Sequence, residues 1–146
     1  MGETQPLPDD PRPLIDIYHD WVLTTIGPDG FSMPYGIVLN ADGKLVVFAL
    51  AVPPDQAYRV MIQQMNAGAR EAIFALDRFA KPEQGTELGD LLAGWHLTRA
   101  TPQPFIIEYQ YEPRVVKAID RENAFWNAAL HREMVSNLRH HLGMPR

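Results

Sequence analysis

The stretch YGIVLNADGKLVVFAL, residues 35–50, decides the fold more than any other part of the chain. Two apolar, β-branched runs flank the tetrapeptide NADG at 40–43, where Asn and Asp form local turn hydrogen bonds and Gly43 permits a positive φ. The pattern predicts a β-hairpin with strands at 35–39 and 44–50. Both strands are apolar at nearly every position, so we expect burial on both faces of a sheet.

Three more strands are expected after the hairpin. Residues 72–79 and 91–99 are apolar runs of strand length. Residues 105–112 alternate apolar and polar side chains, and prolines at 102, 104 and 113 mark the ends of this strand. The sheet should therefore contain about five strands, mainly antiparallel.

Two helices are expected to cover this sheet. Between Pro54 and Gly68 the apolar residues follow helical spacing, at Tyr58, Met61, Ile62 and Met65. A long C-terminal helix is predicted over 121–142, with Asp120 as its N-cap. The expected class is α+β in the order ββαβββα, with a central amphipathic helix and a long C-terminal helix.

The first residues differ from the rest of the chain. Prolines at 6, 8, 11 and 13 predict a disordered, acidic, Pro-rich tail over 1–13, followed by one α+β domain over 14–146. Residues 14–26 fit either a helix, by the spacing of Leu14, Ile17 and Trp21, or a strand, by Thr24, Thr25 and Ile26. The sequence leaves that choice open.

The net charge of −5 lies entirely in the first 30 residues, which hold six acids and one base, whereas residues 31–146 hold twelve of each. A neutral body does not attract a phosphate backbone, so nucleic-acid binding is not expected. The acidic head is either solvated or docked on the basic C-terminus, in the same chain or another copy.

Several functional classes are not expected. The chain has no cysteine, no signal peptide pattern and no apolar window long enough for a membrane span, so we expect a cytoplasmic protein without membrane association. It lacks the H-E-x-x-H, G-x-S-x-G and P-loop patterns, so no metal site and no cofactor are expected.

The charged segment LDRFAKPEQGTELGD, residues 76–90, invites a functional interpretation, but its composition is typical of a structural connection at a sheet edge. We expect a turn at KPEQG and a helical turn after Thr86. The functional alternative places Asp77, Glu87, Asp90 and His96 around one pocket, as acids beside a titratable imidazole.

The C-terminal helix offers a second candidate site. Its apolar arc contains a polar pair, Asn127 and His131, one turn apart. Such a pair either forms hydrogen bonds inside a packed interface or marks a ligand or interface site. We predict a homodimer interface made of Trp126, Asn127, Leu130, His131, Met134 and Leu138.

The element order over residues 35–142 resembles that of profilin-like and roadblock-type scaffolds, which implies partner binding, often with dimerisation, rather than catalysis. A hairpin and helix followed by a strand entering an acidic loop are also similar to JAMM-type metalloproteases. Those enzymes need an H-x-H pair where this chain has LDRFAKP, so that resemblance implies a catalytically inactive relative.

Two functional hypotheses follow. The first is a non-catalytic protein-interaction or scaffold module, homodimeric through its C-terminal helix. The second is a small cofactor-independent hydrolase or small-molecule-binding protein with a pocket near Asp77, Asp90 and His96. The absence of catalytic motifs favours the first and leans against an enzyme.

Overall fold

The structure, a computed structural model, describes residues 4–25, 35–50 and 54–141, with side chains described except at 4, 5, 54 and 138–141. It contains seven strands and three helices in this part of the chain. In chain order these are β1 (Thr4–Pro6), α1 (Leu14–Thr25), β2 (Tyr35–Leu39), β3 (Leu45–Ala49), α2 (Pro54–Asn66), β4 (Glu71–Phe79), β5 (Asp90–Leu97), β6 (Gln103–Tyr111), β7 (Arg114–Val116) and α3 (Ala124–His141).

The strands form a single antiparallel sheet in the order β1-β3-β2-β4-β5-β6-β7. The α+β class and the antiparallel sheet are therefore confirmed. The five expected strands are β2 to β6, and two three-residue strands, β1 and β7, extend the sheet at its edges. Short edge strands leave few unpaired backbone groups for another chain to pair with.

The hairpin forms at the predicted turn. The Asn40 side chain accepts hydrogen bonds from the backbone N–H groups of Asp42 and Lys44, both at 3.0 Å. Gly43 has a φ of 79°, which a residue with a Cβ rarely adopts. The local chemistry of NADG thus sets the register from Tyr35 opposite Ala49 to Leu39 opposite Leu45.

The sheet is covered on both faces, as the apolar strands predict. On one face α2 and α3 pack on side chains that include Phe74, Leu91 and Ile106. On the other face α1 packs on side chains that include Ile73 and Leu92. The sheet is therefore the middle layer of three.

Residues 14–25 are a helix, which settles most of the choice that the sequence left open. Leu14, Ile17, Tyr18 and Val22 lie on one side of α1 and are buried against the sheet. Helical spacing in this segment therefore outweighs the strand preference of the two threonines, because it buries one apolar side of the helix.

The structure describes residues 4–13 of the segment for which the sequence predicts a disordered tail, and part of this segment contacts the sheet. Thr4–Pro6 pair with β3, and the Leu7 N–H donates to the Leu45 carbonyl at 3.0 Å. The Arg12 guanidinium then bonds the carboxylates of Asp10 and Asp20. Proline is compatible with an edge strand because only one side of the strand must pair.

The C-terminal helix begins later than predicted, at Ala124. Asn123 rather than Asp120 caps it, because the Asn123 side-chain oxygen accepts the Trp126 N–H at 2.9 Å. Asp120 instead pairs with Ile106 of β6, exchanging backbone hydrogen bonds of 2.9 Å.

Within the described ranges, none of the helices combines the length and hydrophobicity that a bilayer crossing demands.

Candidate functional site

The most unusual surface of the described chain lies where β4 ends and β5 begins. Phe79 and Asp90 are directly opposite each other in the two antiparallel strands. Asp77 precedes Phe79 by two residues, so its side chain points to the same face, the face that α1 covers elsewhere. We call Asp77, Phe79 and Asp90 the Phe79 surface.

Phe79 is 87% exposed, more than any other large apolar side chain that the structure describes. The two others of this kind are Phe125 at 44% and Val115 at 37%. Single exposed apolar residues are ordinary, but an almost completely exposed phenylalanine at the end of a nine-residue strand loses the burial that would stabilise it. Its exposure therefore needs an explanation outside the packed core.

Tyr109 lies next to the Phe79 surface, on the neighbouring strand β6. It is opposite Asp90 on β6, it is buried, and its hydroxyl donates a hydrogen bond to the Asp77 carboxylate. Its ring also meets that of Tyr111 edge to face, with centroids 5.3 Å apart. Asp77 is therefore held by a residue of the neighbouring sheet strands rather than by a loop.

Burial raises the pKa of the Asp77 carboxyl above its ordinary value, and the negative charge of Asp90 acts in the same direction. The hydrogen bond from Tyr109 lowers that pKa in turn. Burial also raises the pKa of the Tyr109 hydroxyl, and its bond to Asp77 adds to that shift. Two carboxylates are thus placed close together beside an exposed aromatic ring.

The charges of Asp77 and Asp90 are not balanced by a neighbouring cation within the described residues. Other acids in this part of the chain do have such partners, since Glu133 pairs with Arg78 at 2.5 Å and Glu87 with Lys117 at 3.0 Å. Arg78 lies between Asp77 and Phe79 in sequence, but it points to the opposite face and reaches α3. The Phe79 surface is therefore apolar and negatively charged.

The loop that joins β4 to β5 is built by internal contacts. Glu108 on β6 is only 6% exposed and accepts the backbone N–H groups of Glu87 at 2.7 Å and Leu88 at 3.0 Å. Thr86 is buried and donates to the Lys81 carbonyl at 2.9 Å, so it does not cap a helical turn as expected. Pro82–Gln84 form a short 3₁₀ turn that ends at Gly85, whose φ is 78°.

The predicted pocket of Asp77, Glu87, Asp90 and His96 does not assemble. Asp90 and His96 lie near opposite ends of β5, six residues or about 20 Å apart along the strand. The His96 imidazole contacts the Glu71 carboxylate at 2.8 Å, and Glu87 reaches Lys117. Asp77 and Asp90 come together, because the antiparallel register puts both on the same face at the same end of the sheet, whereas the Glu87 carboxylate at that end pairs with Lys117.

The predicted interface on α3 is also corrected in part. Trp126, Leu130 and Met134 are buried in the protein's own core against the sheet, so they form no free surface. Asn127 donates to the Arg121 carbonyl at 2.8 Å, and His131 is exposed. The side chain of Leu138 lies outside the described residues. The apolar arc of the helix therefore packs against a face of the sheet.

Grooves also lie elsewhere on the described surface. One of about 350 Å³ lies between the N-terminal segment and α1, with Leu7, Ile17 and Trp21 among its lining residues. Another, of about 460 Å³, lies at the start of α3 beside Gln84 and Asn123. Neither contains Asp77, Asp90 or His96. The described His, Asp and Glu residues form no group of three that could hold a metal ion.

Sequence reasoning missed three residues that shape the candidate site: Phe79, Glu108 and Tyr109. Strand parity within 72–79 was available and puts Phe79 on the same face as Asp77. The register between β4, β5 and β6 was not available, and it is this register that sets Asp90 between Phe79 and Tyr109.

Comparison with protein-family models, curated proteins and solved structures found no match for this chain. The resemblance to profilin-like, roadblock-type and JAMM-type proteins therefore remains one of element order. What the protein does must be inferred from its own residues.

Proposed function

We propose that this chain is a non-catalytic protein-interaction module and that it contacts its partner through the Phe79 surface. The observation that carries the proposal is the 87% exposure of Phe79 at the end of strand β4. Aromatic residues are enriched at the centres of protein interfaces, where burying one ring contributes much of the binding energy. Burying the exposed Phe79 ring would contribute about 2 kcal/mol to association.

The alternative of a small hydrolase receives less support. It required Asp77, Asp90 and His96 to converge, and the register of β4 and β5 separates the imidazole from both carboxylates. Asp77 also accepts a hydrogen bond from a buried tyrosine, an arrangement that fixes the carboxylate in place. Groups that are held in place at the end of a strand are suited to recognition of a partner surface.

We also propose that the chain forms a homodimer, and this proposal is independent of the Phe79 surface. The buried residues Trp126, Leu130 and Met134 are not available for it. Light scattering with size-exclusion chromatography measures it directly on the unmodified chain.

The test of the proposal is a selection of random dodecapeptides, displayed on phage, on the immobilised protein. The matched variants are Phe79→Ser and Phe125→Ser, which remove the two most exposed phenylalanines of the described chain one at a time. We expect peptides that bind the wild type and Phe125→Ser but lose binding to Phe79→Ser. Circular dichroism must show that both variants are folded. A selection whose peptides all bind Phe79→Ser as well as the wild type would overturn the proposal.

A further inference from the structure

The charges around Phe79 indicate what kind of partner would bind there. This step rests on the proposed function and deepens it. Asp90 is directly opposite Phe79, and Asp77 is its neighbour on the same face, so a group that covers the ring must also pass both carboxylates. Directly opposite residues in an antiparallel pair have Cβ atoms about 4.5–5.5 Å apart.

No Lys or Arg of the described residues forms a salt bridge with Asp77 or Asp90, although six other acidic residues (Asp9, Asp10, Asp20, Glu87, Glu108 and Glu133) do have such pairs. An apolar partner without charge would push both carboxylates away from water without replacing their hydration, which is unfavourable. An acidic partner would add a third like charge. A cationic partner meets both needs.

We propose that the Phe79 surface binds a basic peptide segment of another protein, one that places a Lys or Arg between Asp77 and Asp90 and an apolar or aromatic side chain on the Phe79 ring. A cation at this position would also lie close to the aromatic ring, and a cation over the face of such a ring is attracted to it. Arginine is the better fit, because its planar guanidinium can bond a carboxylate and stack on an aromatic ring together.

A second copy of this chain is a weaker occupant. A two-fold symmetric contact through the Phe79 surface would bring the same patch of both copies together. Four carboxylates, Asp77 and Asp90 of each copy, would then crowd around the two rings. Like charges that face each other across an interface oppose binding.

The peptides selected on the wild type provide the probe. Those that depend on Phe79 are sequenced, and their net charge is compared with that of the unselected library. The tightest one is titrated by fluorescence anisotropy against the wild type, Asp90→Asn and Glu83→Gln, at 50 and 300 mM NaCl. Glu83 is an exposed acid on the loop after β4 and serves as the matched control.

We expect the selected peptides to be basic and Asp90→Asn to weaken binding about two- to fivefold, the range for an exposed ion pair. Glu83→Gln should leave the affinity unchanged, and 300 mM NaCl should weaken binding to the wild type more than to Asp90→Asn.

The contrary outcomes separate the two proposals. Phe79-dependent peptides that are neutral or acidic, or that bind Asp90→Asn as tightly as the wild type, would overturn the basic partner and leave the interaction module standing. Peptides that do not depend on Phe79 would overturn both. A wild-type dimer that Phe79→Ser converts to a monomer would show that a second copy occupies the surface, and would overturn the basic partner.

Discussion

Replacing Glu108 with alanine should destabilise the protein strongly, although the residue looks like one of several acids on a surface strand. Its side chain is 8% exposed and accepts hydrogen bonds from the backbone N–H groups of Glu87 and Leu88 at 2.7 and 3.0 Å. A hydrogen bond to a charged group contributes about 1.5–3 kcal/mol. Two such bonds would be lost, but water can reach the loop amides, so we expect a loss of about 2–4 kcal/mol in the free energy of unfolding.

Two further variants serve as comparisons for Glu108→Ala. Glu108→Gln keeps a neutral acceptor oxygen, so it should lose only about 1–2 kcal/mol. Glu112→Ala removes an exposed acid just beyond the same strand and should change stability by less than about 0.5 kcal/mol.

Urea unfolding followed by tryptophan fluorescence measures all three variants, and hydrogen exchange at the amides of Glu87 and Leu88 localises the effect. A loss below about 0.5 kcal/mol for Glu108→Ala would refute the inference that this carboxylate holds the loop in place.

Three further predictions concern the same sheet. A Cβ at Gly94 would lie 1.8 Å from the Phe74 carbonyl oxygen, so Gly94→Ala should lower the free energy of unfolding by about 3 kcal/mol or more, as measured by urea unfolding. Gly89→Ala is the control and should be nearly neutral, because a Cβ at Gly89 would have no atom within 4 Å. Tyr109→Phe removes the donor that lowers the pKa of Asp77, so an NMR titration of that carboxyl should give a higher pKa than in the wild type. The pKa of the Asp77 carboxyl is raised in the folded state. The free energy of unfolding of the wild type, relative to that of Asp77→Asn, should therefore fall as the pH rises from below the pKa of Asp77 in the unfolded chain through its pKa in the folded protein. Urea unfolding across this pH range measures the trend, which would be absent if the pKa were the same in both states.

Much of the fold could be predicted because local chemistry determines it. The turn residues NADG set the hairpin, and the apolar strands indicate a sheet buried on both faces. The helix at Pro54–Asn66 was clear from its spacing. The start of α3 was predicted three residues early, because Asp120 and Asn123 are both good capping residues and only tertiary contacts distinguish them.

The candidate site could not be predicted to the same degree. The functional alternative for this segment placed Asp77, Glu87, Asp90 and His96 around one pocket. Asp77 and Asp90 do lie close together, but the side chains of His96 and Glu87 have other partners. Which end of β5 a residue occupies depends on where that strand begins relative to β4, and sequence pattern alone leaves this register undetermined. The same limit applies to α3, where an apolar arc is equally compatible with a dimer interface and with the chain's own core.

Hydrogen bonds hold the loop beside the Phe79 surface. Ala80 donates its N–H to the Gly89 carbonyl at 2.9 Å, which closes the loop directly behind Phe79 and Asp90. Glu108 on β6 holds the last part of that loop, just before β5. A surface that is already ordered loses little conformational freedom on binding, which favours affinity.

The most direct test of the Phe79 surface is an NMR titration of ¹⁵N-labelled wild-type protein with the tightest peptide from the selection. The predicted result is that amide shifts change along the end of β4, the start of β5 and the neighbouring part of β6, around Asp77, Phe79, Asp90 and Tyr109. Shifts centred instead on α2 and α3, or on the groove between the N-terminal segment and α1, would contradict the claim that this protein meets its partner at Phe79.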